Sequence, residues 1–113
     1  MDEREEFEQL INQMRKDILI IVEGKKDLTA LKKIGFTNVI QLKGPLFEAV
    51  ENVSSRTKVV CILTDLDNEG KKIYSELSKG LTRNGVKIDN TLRNFLFKKT
   101  TLRQIEGMTS YFS

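Results

Sequence analysis

Three observations in the 113 residues predict an α/β fold with a mainly parallel sheet flanked by helices, of about four strands. Short apolar runs rich in β-branched residues alternate with stretches of helical periodicity. Two of these runs, Ile18-Leu19-Ile20-Ile21-Val22 and Val59-Val60-Cys61-Ile62-Leu63, show no polar alternation, as expected of strands covered on both faces. Each of the two ends in an acidic turn: Glu23-Gly24-Lys25-Lys26-Asp27 after the first, Thr64-Asp65-Leu66-Asp67-Asn68-Glu69-Gly70 after the second.

The elements follow in order. Phe7, Leu10, Ile11 and Met14 form one apolar stripe of an amphipathic helix over 3–15. A strand over 17–22 leads to a helix opened by Asp27, with Leu28, Leu31 and Ile34 on one face and Gly35 as its stop. Val39 to Leu42 reads as a second strand, punctuated by Gly44-Pro45. Pro45 suits the first turn of a helix that carries Leu46, Phe47, Ala49, Val50 and Val53. The strand over 58–63 is followed by a helix over 68–80 with Ile73, Leu77 and Leu81 on its buried side. Val86-Lys87-Ile88 is a candidate edge strand. Leu92, Phe95 and Leu96 then mark one helix of the tail, and Leu102, Ile105, Met108 and Phe112 another.

The length suits one domain over 1–113, with an N-terminal helix (1–16), a core (17–89) and a basic helical tail (90–113). No apolar run approaches the roughly 20 residues needed to cross a bilayer. The N-terminus is acidic where a secretory signal is basic and then apolar, so a cytoplasmic protein with no membrane partner is expected. The lone Cys61, inside an apolar strand, reads as a small buried hydrophobe. There is no histidine. Its absence excludes imidazole acid–base chemistry, the usual zinc sites and Ser–His or Cys–His nucleophiles, and leaves carboxylates, amines, guanidinium groups, tyrosines or a hard metal.

Charge is unevenly distributed. Residues 1–10 hold five acids against Arg4, whereas residues 79–113 hold seven bases against Asp89 and Glu106. A basic tail can be a footprint for a phosphate backbone, or simply a solvated helical face.

In a parallel sheet, ligands sit beyond the carboxyl ends of the strands. If the two apolar strands are neighbours, Glu23, Asp65 and Asp67 converge there, and a divalent cation relieves their repulsion. Asp65 and Asp67 alternate with Leu66 on extended backbone, so both can address one side. Gly24 frees the turn of a side chain. Asp27 near the helix start can cap orphan N–H groups. Glu69-Gly70 opens a helix whose N-terminal N–H groups can hold a phosphate.

The string Ile-Val-Glu-Gly-Lys-Lys-Asp, followed by Leu-Thr-Asp-Leu-Asp-Asn-Glu-Gly, resembles the Toprim domain shared by topoisomerases, bacterial-type primases, overcoming-lysogenization-defect nucleases and the 5S ribosomal RNA maturation nuclease. With its N-terminal helix, the Gly85 to Asp89 segment and the basic tail, the chain is similar over its whole length to the small stand-alone archaeal Toprim proteins. The resemblance implies a Rossmann-like Toprim fold. It implies a catalytic and metal-binding set of Glu23, Asp65 and Asp67, with Mg2+ (or Mn2+) as cofactor and RNA or DNA as partner. Glu23 would serve in metal binding or as an acid–base group. Lys25 and Lys26 resemble the basic character of this turn in the maturation nuclease.

Neither Tyr74 nor Tyr111 stands in the context of a topoisomerase nucleophile, and the accessory modules of primases are missing. A phosphoreceiver domain would carry its acidic pair after the first strand and a lone aspartate after the third, the reverse of what is seen. A haloacid-dehalogenase phosphatase would place Asp-x-Asp after the first strand, with Thr or Val where Glu69 stands.

Two functions remain. One is Mg-dependent phosphoryl transfer or phosphodiester cleavage, nuclease-like or primase-like, with Lys25, Lys26, Lys71, Lys72, Arg93, Lys98, Lys99 and Arg103 as nucleic-acid contacts. The other is a non-catalytic metal-binding adaptor on RNA or DNA that works with a partner protein.

Overall fold

The computed structural model describes the backbone of residues 1–112 and the side chains of residues 1–109. The expected roles of the Phe112 and Tyr111 side chains lie outside the described residues. Helix α1 (Glu3–Gln13) is followed by β1 (Leu19–Val22), α2 (Lys25–Ile34), β2 (Val39–Gln41), α3 (Leu46–Arg56), β3 (Val59–Leu63), α4 (Asn68–Arg83), β4 (Lys87–Ile88) and α5 (Thr91–Lys99). The tail ends in a 3-10 helix, Ile105–Phe112, where the apolar spacing predicts an ordinary helix.

The four strands form one parallel sheet in the order β2-β1-β3-β4. The two fully apolar strands are therefore central neighbours, with Val22 beside Leu63 at the end of the register. Both are covered on both faces. Ile20 and Val22 of β1 and Cys61 and Leu63 of β3 face a cluster formed with Phe7, Ile11, Leu31, Leu92 and Leu96. Leu19, Ile21, Val60 and Ile62 face the opposite cluster, with Val50, Val53, Leu77 and Leu81. So α1, α2, α5 and the tail share one layer, and α3 and α4 form the other. Cys61 is fully buried, and burial pushes its thiol up to about 12.

Local signals set several helix ends, and Pro45, expected in the first turn of α3, stands one place earlier as its N-cap. Asp2 caps α1 by accepting from the Glu5 N–H at 2.8 Å. Gly35 ends α2 in the left-handed region at φ 118°. Helix α2 starts at Lys25, ahead of Asp27, because Asp27 caps from within the first turn: its Oδ2 accepts from the Gly24 N–H at 3.1 Å. Phe47 departs from the expected stripe and stands 63% exposed on α3.

Gly70 fixes how closely α4 approaches the end of β3. A Cβ there would lie 2.0 Å from the Asp65 carbonyl oxygen and 2.6 Å from its carbon. Both are backbone atoms with no rotamer to yield, and the Thr64 hydroxyl draws the two segments together by donating to the Gly70 carbonyl at 2.7 Å. A Gly70→Ala substitution is expected to lower unfolding free energy by about 1–3 kcal/mol, read as a fall in the urea midpoint at constant slope.

Candidate functional site

The carboxyl ends of β1 and β3 open onto a crevice lined by Glu23, Asp27, Asp65, Asp67, Glu69 and Glu106, with Lys25, Lys26 and Gln104 beside them. The sheet register brings Glu23 and Asp65 together: Val22 and Leu63 are paired, Glu23 follows Val22 directly, and Asp65 follows Leu63 after Thr64. Glu69 and Glu106 enter from α4 and the tail. No sequence spacing announces Glu106, because the tail reaches the crevice only through the tertiary fold.

Four of these acids are tied to backbone N–H groups, Asp27 through that of Gly24. Glu23 Oε2 accepts from the Asp65 N–H at 2.8 Å, Asp65 Oδ1 from the Ile105 N–H at 2.9 Å, and Asp67 Oδ1 from the Gly70 N–H at 2.8 Å. Asp67 is thus the N-cap of α4, and it engages one of the helix-terminal donors that the sequence offers to a phosphate. The Leu66 N–H donates to the Arg103 carbonyl at 2.8 Å, so the tail crosses directly over the Asp-Leu-Asp turn.

These bonds aim the carboxylates individually. Among the described residues, no group of three or more His, Cys, Asp or Glu side chains is arranged to hold a metal ion. The expected metal centre of Glu23, Asp65 and Asp67 is therefore not assembled as three ligands. The donor chemistry still suits a hard cation, since every candidate ligand is an oxygen and each tied carboxylate has a second oxygen. Magnesium commonly takes only one or two carboxylates and keeps several waters.

The crevice is strongly acidic, with Lys25 and Lys26 in its lining and the buried Arg93 guanidinium acting electrostatically on Glu23 and Asp65. Among the described residues, the salt bridges are Arg4–Glu8 and Arg15–Asp17, both away from the crevice, and neither Lys25 nor Lys26 pairs with a crevice acid. Burial, followed by the Asp65 carboxylate, raises Glu23 above the ordinary carboxyl value, against the lowering effect of the Asp65 N–H. Burial also raises Asp27, with Asp65 and then Glu106 adding to it.

The predicted basic contacts divide by location. Arg93 is buried at 7% exposure. Its guanidinium donates to the carbonyls of Thr64 at 2.6 Å, Asp65 at 3.3 Å and Ile62 at 3.5 Å, and lies 4.5 Å from the centre of the Tyr74 ring. Arg93 is thus a structural residue, removed from the nucleic-acid-contacting set. Its three-residue spacing from Leu96 places it on the buried side of α5, a signal overshadowed by the basic character of the tail. Lys25 and Lys26 are exposed at the crevice, Lys72 is exposed on α4, and Lys98 and Lys99 line a groove against Glu6 and Leu10 of α1. Lys71 and Arg103 are exposed beside Phe97.

The Toprim domain pattern matches residues 18–96, from β1 into α5. The chain belongs to the Toprim family. It also belongs with the small UPF0292 proteins of archaea. A UPF0292 protein of Methanocaldococcus jannaschii is 35% identical over 97 residues, covering 81% of this chain and 76% of that protein. One of Pyrococcus abyssi is 34% identical over 109 residues, covering 95% and 82%. A solved protein structure from Aquifex aeolicus superposes with a TM-score of 0.78 at 32% identity, covering 91% of this chain and 95% of that one. The Toprim match includes Glu23, Asp65 and Asp67, whereas Ile105 and Glu106 lie beyond it. No helix among the described residues is long and apolar enough to cross a membrane.

Two substitutions test this reading of the Toprim crevice. Arg93→Met should cost about 2–3 kcal/mol in chemical unfolding, because it strands carbonyls that the guanidinium satisfies. Asp27→Asn keeps an acceptor for the Gly24 N–H and removes a charge. At a pH where the unfolded Asp27 has lost its proton, the folded chain still holds it, so folded chains bind more protons and stability falls as pH rises through that window. The penalty is absent below the ordinary value of 3.8 and complete above the raised folded value. Unfolding measured in chelator should therefore show the variant more stable than wild type near pH 7, with the difference closing towards pH 3.8.

Proposed function

We propose that this Toprim chain is a nucleic-acid-associated module in which the acidic crevice binds a divalent cation weakly, as an adaptor whose site a partner or a phosphate completes. The observation that carries this reading is the engagement of Glu23, Asp65 and Asp67 with backbone N–H groups, which leaves no preassembled three-carboxylate centre among the described residues. Asp65 and Asp67 would hold Mg2+ (or Mn2+) through their second oxygens, with water and nucleic-acid phosphate as the other ligands. The bound ion would supply charge neutralisation for a phosphate brought to an acidic surface. Lys25 and Lys26, exposed and without a carboxylate partner at the crevice, suit contacts to the flanking backbone.

One observation favours catalysis instead. Glu23 sits beside Asp65 with its proton affinity raised, as befits an acid–base group in Mg-dependent phosphodiester cleavage or primase-like phosphoryl transfer.

Labelled single- and double-stranded RNA and DNA, incubated with wild type and with an Asp65→Asn/Asp67→Asn variant, separate the two. Asparagine retains an acceptor for the Ile105 and Gly70 N–H groups. The adaptor reading expects no product, salt-dependent binding by both proteins, and an Mg2+-dependent rise in melting temperature in wild type alone. Product that disappears with chelator and in the variant would replace it with the nuclease reading.

A further inference from the structure

Phe97 is a large aromatic side chain on α5 that does not join the core. It stands 45% exposed, whereas Leu92 and Leu96 of the same helix are fully or almost fully buried. Two cations lie over the ring, Lys71 Nζ at 4.9 Å from its centre and the Arg103 guanidinium carbon at 5.5 Å. The three residues come from α4, α5 and the tail.

Both residues join the Asp-Leu-Asp turn through their backbones. Lys71 is one helical turn past Asp67, and its N–H donates to the Asp67 carbonyl at 3.0 Å. Arg103 is pinned by its own carbonyl, which accepts from Leu66 N–H at 2.8 Å. Its guanidinium is held further by the carbonyls of Leu102 at 2.7 Å and Thr100 at 3.4 Å. Arg103 also shares a shallow depression with Asp67 and Glu106. An exposed ring with a pinned guanidinium and an exposed ammonium is therefore built onto the rim of the acidic crevice.

We propose that Phe97, Lys71 and Arg103 form a stacking site for one base of a single-stranded nucleic acid: the base takes ring surface that the exposed Lys71 side chain covers in its absence, and the displaced ammonium and the Arg103 guanidinium hold its phosphates. Sequence-tolerant readers of single strands combine these two parts, an aromatic face for the base and cations for the backbone. A duplex keeps its bases stacked internally and offers the ring nothing comparable, so the favoured ligand is an unpaired end or loop. This inference rests on the reading of the chain as nucleic-acid-associated and adds the strandedness of the ligand to it.

The chain has no tryptophan, so Phe97→Trp introduces a single tryptophan at the platform, excited selectively over Tyr74 and Tyr111 at the red edge of its absorption. Titration with ten-residue oligo-dT and oligo-rU should quench its emission, and a matched duplex should not. Phe97→Leu, checked for an unchanged circular dichroism spectrum, should bind the same oligomers about five- to a hundredfold more weakly. Lys71→Gln and Arg103→Gln should each flatten the slope of log affinity against log salt by about 0.7. Unquenched emission from the Phe97→Trp variant, together with undiminished affinity of Phe97→Leu, overturns the platform and leaves nucleic-acid association standing. A Phe97→Leu effect on self-association by light scattering, without one on oligomer affinity, assigns the ring to a protein contact and overturns it too. No binding by wild type to any single- or double-stranded probe overturns both.

Discussion

The crevice depends on how the backbone of residues 62–66 is satisfied once β3 runs out of strand neighbours. Three carbonyls and two N–H groups there find partners on three other parts of the chain. Arg93 on α5 takes the carbonyls of Ile62, Thr64 and Asp65. Glu23 at the end of β1 takes the Asp65 N–H, and the Arg103 carbonyl takes the Leu66 N–H. Buried backbone groups left unpaired are costly, so this short stretch recruits β1, α5 and the tail to one place. The closeness of α4, permitted by Gly70, completes the enclosure.

The same carboxylates therefore serve two ends. One oxygen of Glu23, Asp65 and Asp67 organises backbone, and the opposite oxygen belongs to a crevice with six acids and, among the described residues, no ion pair. Repulsion among those acids is held in place by hydrogen bonds rather than relieved by lysines. That arrangement suits a surface that attracts cations and keeps bare phosphates away unless a cation or a basic neighbour accompanies them. The basic residues lie accordingly at its rim, at Lys25 and Lys26 on one side and Lys71 and Arg103 on another.

The strands were legible because the runs at β1 and β3 are apolar at successive positions, as burial on both faces requires. The convergence of Glu23, Asp65 and Asp67 on one crevice was legible only on the condition that these strands are neighbours, which the order β2-β1-β3-β4 meets. Their hydrogen bonds were not, because a carboxylate's choice between a cation and a nearby N–H is decided by tertiary distances. Arg93 was misread because a guanidinium in a basic tail looks solvated, although its spacing from Leu96 marks the inner side of α5. Glu106, Gln104 and the exposure of Phe97 have no local signature, since they depend on where the tail docks. The tail itself has helical apolar spacing yet winds as a 3-10 helix, a difference that spacing over two turns does not resolve.

The strap formed by Arg103 and Ile105 over the Asp-Leu-Asp turn also divides the chain into a part that builds the sheet and a part that finishes the crevice. All four strands precede residue 90. Without the docked tail, the Leu66 N–H and Asp65 Oδ1 lose their partners, Arg103 and Ile105, and the crevice loses Glu106. Lifting the tail therefore remakes the electrostatics of the acidic surface while every strand pairing stays as it is.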